Sequence, residues 1–588
     1  MIQNNYFTDN ADLMLYFNEL VDWDEIVRAY EGDDFADAQK YKETGDEHLA
    51  FAPSSVDEAV EFYRATLESL GELTGNEVAQ RARSMDQTGL KYDAGRVIFP
   101  EDSLTLFQMF RDAGLIPYNI KRQYGGLGMP ASVNGIYNEI LTRGDTAFTM
   151  TLALLNLAKI VVRYGTEEQK QSFVTRMAAG EFTGAMALTE PNYGSDLSNV
   201  RTKAVKQSDG TYRLSGTKRF ISQGCGIGET PCILLTLART GTPTSGARGL
   251  SLFIVKSTDV QIAGIEHKMG IHASPTCEVV FEDSPAEIVG EEGFGLTRYS
   301  MGMMNDARVT VAALGVGIGN AAYFEGLKYA TEREQFGKTI DQIPAVKRML
   351  DHMRREIFAM RLLTGEAARA VDLYLHRQMR MEKSGMAERD IRKDEDIRHW
   401  DKTASLFTPL SKYYCSETGV TLASEGMQIH GGSGYTEEYD VARIYRDSRI
   451  NTVYEGTTQL QVVAAIGGIT AGMSANGFFR KYINDELARF SASDGLKELL
   501  AMLEHAITTY RSIEDGAVRD GNAFEVVEVA TRFLCCLLFE RALDRASEAS
   551  RAQIRPLYRQ YMIDSVAIAQ ADTYRLKMAA TAEEPAAV

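Results

Sequence analysis

One glutamate stands in a setting that suits acid–base chemistry. Glu455 follows the pair Val453-Tyr454 and precedes Gly456. A carboxylate with apolar and aromatic neighbours is partly desolvated, and desolvation raises its pKa towards the range of a general base. An exposed or helix-capping glutamate is nevertheless the simpler explanation of this segment when it is taken alone.

A hydroxyl-rich turn suits a flavin. In the segment AMALTEPNYGSD (185–196) an apolar strand runs into Thr189, and a turn around Gly194 precedes Ser195 and Asp196. Hydroxyls and exposed amides at such a turn can hold a flavin pyrimidine and a pyrophosphate without positive charge. A polar β-turn followed by a helix start is the alternative interpretation.

The segment GTKRFISQG (216–224) places an aromatic side chain two residues before a hydroxyl. Side chains two residues apart share one face of a strand, so Phe220 and Ser222 would present a flat surface and a hydrogen-bond donor together. That combination suits a flavin ring. An ordinary strand end before a glycine turn explains the segment equally well.

Two further segments contain glycines at points where the chain must bend. REQFGK (333–338) is typical of a charged helix C-terminus closed by Gly337. QIHGGSGY (428–435) follows a predicted helix, and its glycines allow backbone to approach a ligand closely. A glycine-rich loop without a ligand is the alternative. We interpret His430 as a packing or loop residue, because the sequence offers it no acid partner or second metal ligand.

Neither glycine cluster of the chain matches the fingerprint of a nicotinamide-binding fold. The segments 224–228 and 315–319 both begin as GxG but lack the final glycine of GxGxxG. The second lies in a helix-like stretch, where glycines more often permit close packing. A nicotinamide enzyme of the usual design is therefore disfavoured.

The elements that must position these segments are mostly helical. With 588 residues the chain has room for two to four domains. Apolar residues at helical spacing dominate the N-terminal part, and short β-rich runs between about 185 and 290 predict one small antiparallel β-domain. We expect a mainly α protein with a central β-domain, divided into 1–184, 185–292, 293–470 and a C-terminal helical extension at 475–588.

Within the second helical region the sequence predicts particular boundaries. Pro344 fits the first turn of a long helix, and a second long helix is expected at 403–427. The densely charged stretch 376–402 is interpreted as a solvated insertion. The glycines near 467–477 predict a linker, and the last residues, 581–588, predict a loose tail.

Composition excludes several classes of function. Lys and Arg total 63 and Asp and Glu total 81, a formal net charge of −18, which disfavours nucleic acid as a partner. No apolar run approaches the roughly 20 residues of a membrane span, and the polar N-terminus does not resemble a signal or transit peptide. The six cysteines lack CxxC spacing, so we expect neither a disulfide framework nor a metal site. These features favour a cytoplasmic protein.

The order and spacing of the segments together resemble the acyl-CoA dehydrogenase flavoprotein family. The resemblance covers about residues 105–468, and the N-terminal arm and C-terminal extension are similar to the long-form members, as is HKMGIHASPTC (267–277). It implies a helical domain, a β-barrel-like domain and a helical bundle. Tyr193 and Asn199 stand where the family usually has small residues, and we interpret both as changes that adjust the site without abolishing its function. The motifs that carry the resemblance are ALTEPNYGSD (187–196), FIS (220–222), REQFGK (333–338), QIHGGSGY (428–435) and YEGTTQLQ (454–461).

The resemblance implies FAD as the cofactor and assigns roles to particular residues. The expected contacts with FAD in one subunit are Met186, Leu188, Thr189, Gly194, Ser195, Phe220, Ile221 and Ser222, with Thr457 and Gln459 also on the cofactor. The expected contacts with the FAD of a neighbouring subunit are Arg333, Gln335, Phe336, Gln428, Gly431 and Gly432. The expected substrate contacts are Ser195, Asn305, Arg308, Tyr454, Glu455 and Gly456.

In the implied reaction Glu455 removes the α-proton of an acyl-CoA thioester while the β-carbon gives hydride to flavin N5. Some family members carry the base just before the residue equivalent to Arg308, but this chain has Ala307 there. Asp306 is adjacent, although one helical residue is about 100° of rotation and points elsewhere. Electrons would pass to an electron-transfer flavoprotein, the enzyme would be a homodimer or homotetramer, and its place would be fatty-acid β-oxidation.

Three other functions fit parts of the same sequence. An acyl-CoA oxidase would return its electrons to oxygen, which reoxidation in air would reveal. A DNA-binding flavoprotein of the alkylation-response type would need a strongly basic patch in the extension, where residues 491–588 instead mix charges of both signs. A noncatalytic helical scaffold would purify without yellow colour.

Overall fold

The chain forms two compact units in a computed structural model that describes residues 1–581. Unit 1 comprises Met1–Asp9, Glu31–Ala307 and Ala442–Asp447, and unit 2 comprises Asn10–Tyr30, Arg308–Val441 and the chain from Ser448 onwards. The four segments expected from the sequence stay a prediction, because backbone contacts group the chain differently. Apart from Thr581, the predicted tail lies outside the described residues.

Helices form most of the chain, which confirms a mainly α fold class. In chain order they are α1 Ala11–Leu15, α2 Trp23–Glu31, α3 Ala36–Thr44, α4 Val56–Leu73, α5 Ala79–Thr88, α6 Glu101–Asp112, α7 Ala131–Gly144, α8 Thr146–Ala153, α9 Ala158–Tyr164, α10 Glu167–Gln169, α11 Thr175–Ala178, α12 Met301–Glu332, α13 Pro344–Lys383, α14 Glu388–Ile391, α15 Glu395–His430, α16 Asp440–Ser448, α17 Thr458–Gly472, α18 Phe478–Leu487, α19 Asp494–Ser512, α20 Gly516–Gly521, α21 Ala523–Arg545 and α22 Glu548–Thr581.

The central β-domain of unit 1 is barrel-like. The strands of the chain are β1 Lys91–Asp93, β2 Arg96–Ile98, β3 Thr183–Ala187, β4 Lys203–Lys206, β5 Tyr212–Ser222, β6 Cys232–Arg239, β7 Leu250–Lys256, β8 Gln261–Ile265, β9 Thr276–Val289, β10 Glu334–Gln335 and β11 Lys338–Thr339. Pairing runs β6–β4–β5–β9–β7 and returns to β6, so the sheet closes on itself. The expectation of a purely antiparallel domain is wrong at β3, which pairs with β6 in parallel. The long connection between these strands makes a parallel pair reachable.

A bulge interrupts the alternation of β5 just before its C-terminal end. Tyr212, Leu214 and Lys218 are buried as the alternation predicts, but the register against β9 shifts between Lys218 and Ile221. Phe220 at this bulge has φ 62° and is 53% exposed, while Ile221 turns into the core. The bulge therefore lifts the Phe220 ring out of the face that continues the strand.

Close helix packing in unit 2 explains the glycines of α12. A Cβ on Gly315 would stand 2.3 Å from the Cys415 carbonyl oxygen of α15. A Cβ on Gly319 would lie 3.1 Å from the side chains of Ile357 and Leu422, so the packing role is confirmed for Gly315 and Gly319. The expected start of α13 at Pro344 is confirmed, whereas α15 begins at Glu395 and not near 403, because Asp394 caps it by accepting from Ile397 N at 2.9 Å.

The predicted linker is confirmed only at its C-terminal end. Helix α17 continues through Gly467 and Gly468 to Gly472. Gly468 serves packing there, since a Cβ on it would lie 3.3 Å from the Leu406 side chain of α15. The chain breaks between α17 and α18. The charged stretch 376–402 is largely exposed, as predicted, although α13 and α15 both extend into it.

The C-terminal extension contributes to the core of unit 2. Its helices α19, α21 and α22 pack together, and Phe539 of α21 stacks on Phe358 of α13 with ring centroids 5.3 Å apart. Buried Glu366 accepts from Tyr482 Oη at 2.8 Å and from Arg541 Nη2 at 2.6 Å. Since both donors belong to the extension, it is tied to the bundle by apolar and charged contacts.

Within residues 1–581, one helical stretch, Thr146–Tyr164, is long and apolar enough by composition to cross a membrane. Its most apolar window is 72% buried within the protein, which is usual for a core helix.

Candidate active site

The predicted base lies in a turn with unusual backbone. Glu455 precedes α17 and has φ 55°, and the next residue, Gly456, has φ 89°. A non-glycine residue in the left-handed region is strained and persists only where its surroundings hold it. Gln461 of α17 supplies part of that support, since its Nε2 donates to the carbonyls of Glu455 at 3.2 Å and Gly456 at 3.0 Å.

A buried lysine holds the same turn from α15. Lys412 is fully buried, and its Nζ donates to the Gly456 carbonyl at 2.7 Å. Thr457 caps α17, and the hydroxyl of Thr458 donates to Glu417 of α15. The turn that carries the predicted base is therefore fixed to α15 and to the first turns of α17.

Burial and two nearby cations have opposite effects on the pKa of Glu455. Burial raises the pKa of Glu455 to about 7, while the positive charges of Lys412 and Arg308 oppose that rise. Burial also lowers the pKa of Lys412 to about 8, against the attraction of Glu455 and Glu417. A carboxylate that changes charge near neutral pH suits a general base.

The other predicted substrate residues of this region are placed as follows. Arg308 of α12 is buried, and its Nε has no hydrogen-bond partner among the described residues. Tyr454 is half-buried and donates to Asn451 Oδ1 at 3.0 Å. Asn305 is half-buried on α12. Asp306 forms an ion pair with Lys159 at 3.2 Å, so the alternative base is engaged within unit 1.

The first predicted flavin segment follows β3 in unit 1 and is anchored by Glu190. This carboxylate accepts from Arg201 N at 2.6 Å, from Thr202 N at 2.8 Å and from Thr202 Oγ1 at 2.7 Å. It also pairs with Lys218 of β5 at 3.0 Å. Burial acts to raise the pKa of Glu190, but Lys218 and the hydrogen bonds outweigh it and hold that pKa below its usual value.

Lys218 joins the two predicted flavin segments of unit 1. Besides Glu190, its Nζ donates to the Leu188 carbonyl at 2.8 Å, and burial lowers its pKa to about 8. One residue further, Arg219 N donates to the Thr189 carbonyl at 3.0 Å. The segments around 189 and 220 are therefore held side by side.

The residues expected on the flavin differ in exposure. Gly194, Ser195 and Phe220 are exposed, whereas Leu188 and Ile221 are buried. The half-buried ones are Met186, Thr189 and Ser222. The anchored turn thus presents hydroxyls and an aromatic face on a fixed support.

The REQFGK segment forms a hairpin, so its interpretation as a helix C-terminus closed by Gly337 is wrong. Helix α12 ends at Glu332, and β10 pairs with β11 around a two-residue turn. Both turn residues have positive φ, 55° at Phe336 and 74° at Gly337, which matches the twist of a hairpin. Phe336 is 92% exposed. Arg333 and Gln335 are also exposed.

The glycine-rich loop after α15 is also open. Gly431 has φ 59°, and a Cβ on Gly431 or Gly432 would meet nothing within 4 Å. Gln428 is exposed, as is Gln459 at the start of α17. His430 stacks on Tyr329 with centroids 4.3 Å apart, which confirms its interpretation as a packing residue.

Sequence reasoning did not single out Lys412, Gln461 or Lys218. Alternation along β5 was the available signal for Lys218, because it places this lysine on the face of Tyr212 and Leu214. The described residues contain no group of three or more His, Cys, Asp or Glu side chains that could hold a metal ion, and the six cysteines are free thiols.

Three family models match consecutive parts of the chain. The model of the acyl-CoA dehydrogenase N-terminal domain matches residues 61–181, that of the middle domain matches 185–284, and that of the C-terminal domain matches 293–389 and 393–466. Together they cover more than half of the chain.

Similar proteins of known function point the same way. The 3-methylmercaptopropionyl-CoA dehydrogenase of Ruegeria pomeroyi is 36% identical over 421 residues, which are 69% of this chain and 70% of that protein. A short-chain-specific acyl-CoA dehydrogenase of Megasphaera elsdenii is 34% identical over 338 residues, 56% of this chain and 80% of that protein. These matches confirm the resemblance that the motifs indicate.

Solved structures share the fold. Butyryl-CoA dehydrogenase from Megasphaera elsdenii has a TM-score of 0.58 at 29% identity and covers 70% of this chain and 98% of its own. An acyl-CoA dehydrogenase complexed with FAD from Bacillus anthracis has a TM-score of 0.73 at 21% identity and covers 89% of each chain, which shows the fold alone.

Proposed function

The chain belongs to the acyl-CoA dehydrogenase family of oxidoreductases, and from that premise we propose that it desaturates an acyl-CoA thioester between Cα and Cβ with Glu455 as the base. The observation that carries this proposal is the setting of Glu455. Its carboxylate is half-buried in a strained turn, and burial raises its pKa to about 7. A base of that kind accepts a proton near neutral pH.

The residues around Glu455 would serve the proton transfer. A thioester acidifies the α-proton, and a Glu455 carboxylate oxygen would accept it. Lys412 and Arg308 oppose the rise in the pKa of Glu455, which keeps a share of the carboxylate ionised before substrate binds. The Glu455 backbone amide would donate to the thioester carbonyl, and removing such a donor costs about 2.7–4 kcal/mol in other oxyanion sites.

The residues predicted to contact FAD fit that cofactor. Ser195 is exposed and Thr189 and Ser222 are half-buried, so their hydroxyls are at least partly accessible, and Phe220 is 53% exposed. The pair Glu190–Lys218 keeps both segments in place. FAD would supply the hydride acceptor, a chemistry that the amino-acid side chains lack.

Assembly and electron transfer complete the proposal. The exposed Phe336, in a hairpin turn, and the exposed Gly431–Gly432 loop suit contact with the FAD of a neighbouring subunit, in a homodimer or homotetramer. We propose an electron-transfer flavoprotein as the electron acceptor, and a cytoplasmic role in fatty-acid β-oxidation. One solved structure with a TM-score of 0.58 at 27% identity, covering 69% of this chain and 97% of its own, comes from work on an electron-transferring flavoprotein of Acidaminococcus fermentans.

The test combines a spectrum with anaerobic reduction. The purified protein should show a flavin absorption band and bleach when mixed with members of an acyl-CoA panel without oxygen. Glu455→Gln should keep FAD but bleach about 10⁴-fold more slowly or slower still, at or beyond the upper end of the 10²–10⁴-fold that a positioned base contributes. Asp306→Asn is the matched control and should bleach within about tenfold of the parent.

Two results would contradict the proposal. A protein that holds no flavin, even after FAD is supplied, does not carry out this reaction. Bleaching of Glu455→Gln within tenfold of the parent would mean that another group takes the proton, and a selective loss in Asp306→Asn would identify that group.

A further inference from the structure

A buried lysine in the middle of α15 requires an explanation. Lys412 is fully buried, with buried Leu410, Tyr413 and Tyr414 beside it in the sequence. Burying an ammonium group costs free energy unless specific partners compensate it. Its 2.7 Å hydrogen bond runs to the carbonyl of Gly456, directly after the predicted base.

That hydrogen bond acts on the strained part of the turn. Glu455 has φ 55°, a conformation that a residue with a side chain adopts at a cost. Lys412 and Gln461 converge on the Gly456 carbonyl, and Gln461 also holds the Glu455 carbonyl. These bonds fix the backbone direction from which the Glu455 side chain leaves.

Lys412 also places a charge near the carboxylate. The charged groups that act on Glu455 are Lys412 from α15 and Arg308 from α12. The carboxylates that act on Lys412 in turn are Glu455 and Glu417, and Glu417 accepts from Thr458. Tyr454, the phenol next to the base, experiences the charge of Glu455 as well. Of the two cations, Lys412 is the one hydrogen-bonded to the turn.

We propose that Lys412 is a positioning residue for Glu455, whose ammonium both fixes the left-handed turn and supplies charge that keeps the carboxylate ionised. This role rests on the proposed function of Glu455. It separates into a geometric part, shared with Gln461, and an electrostatic part that Gln461 lacks. The two parts make different predictions for the pH dependence of flavin reduction.

Three variants separate the two parts. Lys412→Gln keeps a hydrogen-bond donor and removes the charge, Lys412→Arg keeps the charge and changes the geometry, and Gln461→Leu removes neutral hydrogen bonds alone. The measurement is the anaerobic rate of flavin reduction by one good acyl-CoA substrate, followed across neutral pH. Retained flavin absorbance reports that each variant is folded.

The charge of Lys412 should set the midpoint of the pH profile. The charge of Lys412 lowers the pKa of Glu455, and a nearby opposite charge lowers a carboxyl pKa by about 1–3 units, so Lys412→Gln should move the midpoint up by at least about one pH unit. Lys412→Arg and Gln461→Leu should reduce flavin several-fold more slowly than the parent, with midpoints within about half a unit of it. A structural role alone would lower the rate without moving the midpoint.

Each outcome decides the proposal. An unchanged midpoint in Lys412→Gln, or an equal shift in Gln461→Leu, overturns it. If Lys412→Gln yields no folded flavoprotein, Lys412→Arg carries the test, and a parental rate in that variant overturns the geometric part. A parent that no acyl-CoA bleaches refutes the proposed function itself, whereas a bleaching parent with unshifted variants refutes only the role of Lys412.

Discussion

Replacing Lys218 by methionine tests whether one buried ion pair supports both predicted flavin segments of unit 1. Methionine preserves length and removes the charge and both hydrogen bonds of Nζ, to Glu190 and to the Leu188 carbonyl. The Glu190 carboxylate then keeps its three bonds from Arg201 and Thr202 but loses its cation. We expect lower thermal stability and weaker retention of FAD.

The loss of unfolding free energy depends on which hydrogen bonds the remaining partner, Glu190 or Lys218, keeps after the substitution. Breaking a buried pair costs about 3–5 kcal/mol, and the three surviving donors to Glu190 place Lys218→Met near the lower end. At about 2–4 °C per kcal/mol, the melting temperature should fall by about 6–12 °C. In Glu190→Gln, Lys218 loses its carboxylate partner and would become neutral at pH 7. Deprotonating a lysine of ordinary pKa at pH 7 costs about 4.6 kcal/mol, which is the upper limit of the destabilisation that its unpaired charge can cause.

The assay is a double-mutant cycle. Thermal unfolding is followed by circular dichroism for the parent, Lys218→Met, Glu190→Gln and the double variant, and bound FAD is measured for each. Because the double variant leaves no unpaired charge, it should be less destabilised than the sum of the single variants by at least about 1 kcal/mol. Additive effects, or a fall of less than about 2 °C in Lys218→Met, would refute the role of the pair.

Two other outcomes follow from the same structure. Flavin reduction by substrate should speed up as pH rises through about 7, because burial raises the pKa of Glu455 to that value and only the ionised carboxylate accepts a proton; a flat profile contradicts this. Phe336→Ala should leave the melting temperature unchanged, since the side chain is 92% exposed. It should nevertheless reduce the FAD content, or the assembly measured by sedimentation. If neither quantity changes, Phe336 does not contact a neighbouring subunit.

Much of the architecture could be predicted because it depends on local signals. Helical spacing, the proline at 344 and the strand-like runs indicate helices and a β-domain directly. The parallel pairing of β3 with β6 could not be predicted, because the partners are distant in sequence and either direction satisfies an apolar strand. The hairpin at 334–339 was missed because its turn requires a phenylalanine with positive φ, a conformation that a sequence does not reveal.

The sequence motifs of the candidate site could be predicted, but the residues that hold the Glu455 turn in place could not. Glu455 could be proposed as the base from its neighbours and the family resemblance, but the strain in its turn could not be predicted. Lys412 escaped notice because lysine is usually a solvent-exposed residue, although the apolar residues on both sides of it were a signal. Tertiary partners such as the Gly456 carbonyl appear only when distant segments meet.

The interleaved make-up of unit 1 has a consequence for synthesis on the ribosome. Asp145 caps α8 and pairs with Arg443, 298 residues later, at 3.0 Å, and Asp86 pairs with Arg446 at 2.5 Å. Burial raises the pKa of Asp145 to about 7, so this carboxylate depends on its late partner. A nascent chain that ends before Ala442 lacks a segment of unit 1.

At about 5–20 residues per second, the interval between Asp145 and Arg443 lasts about 15–60 s. During that time most of unit 1 has emerged, but Asp145 still lacks Arg443, and Asp86 has His272 at 2.9 Å without Arg446. The unit can therefore reach its final stability only when about half of unit 2 has also been translated. Splitting the gene between the two regions would separate residues that one folded body needs.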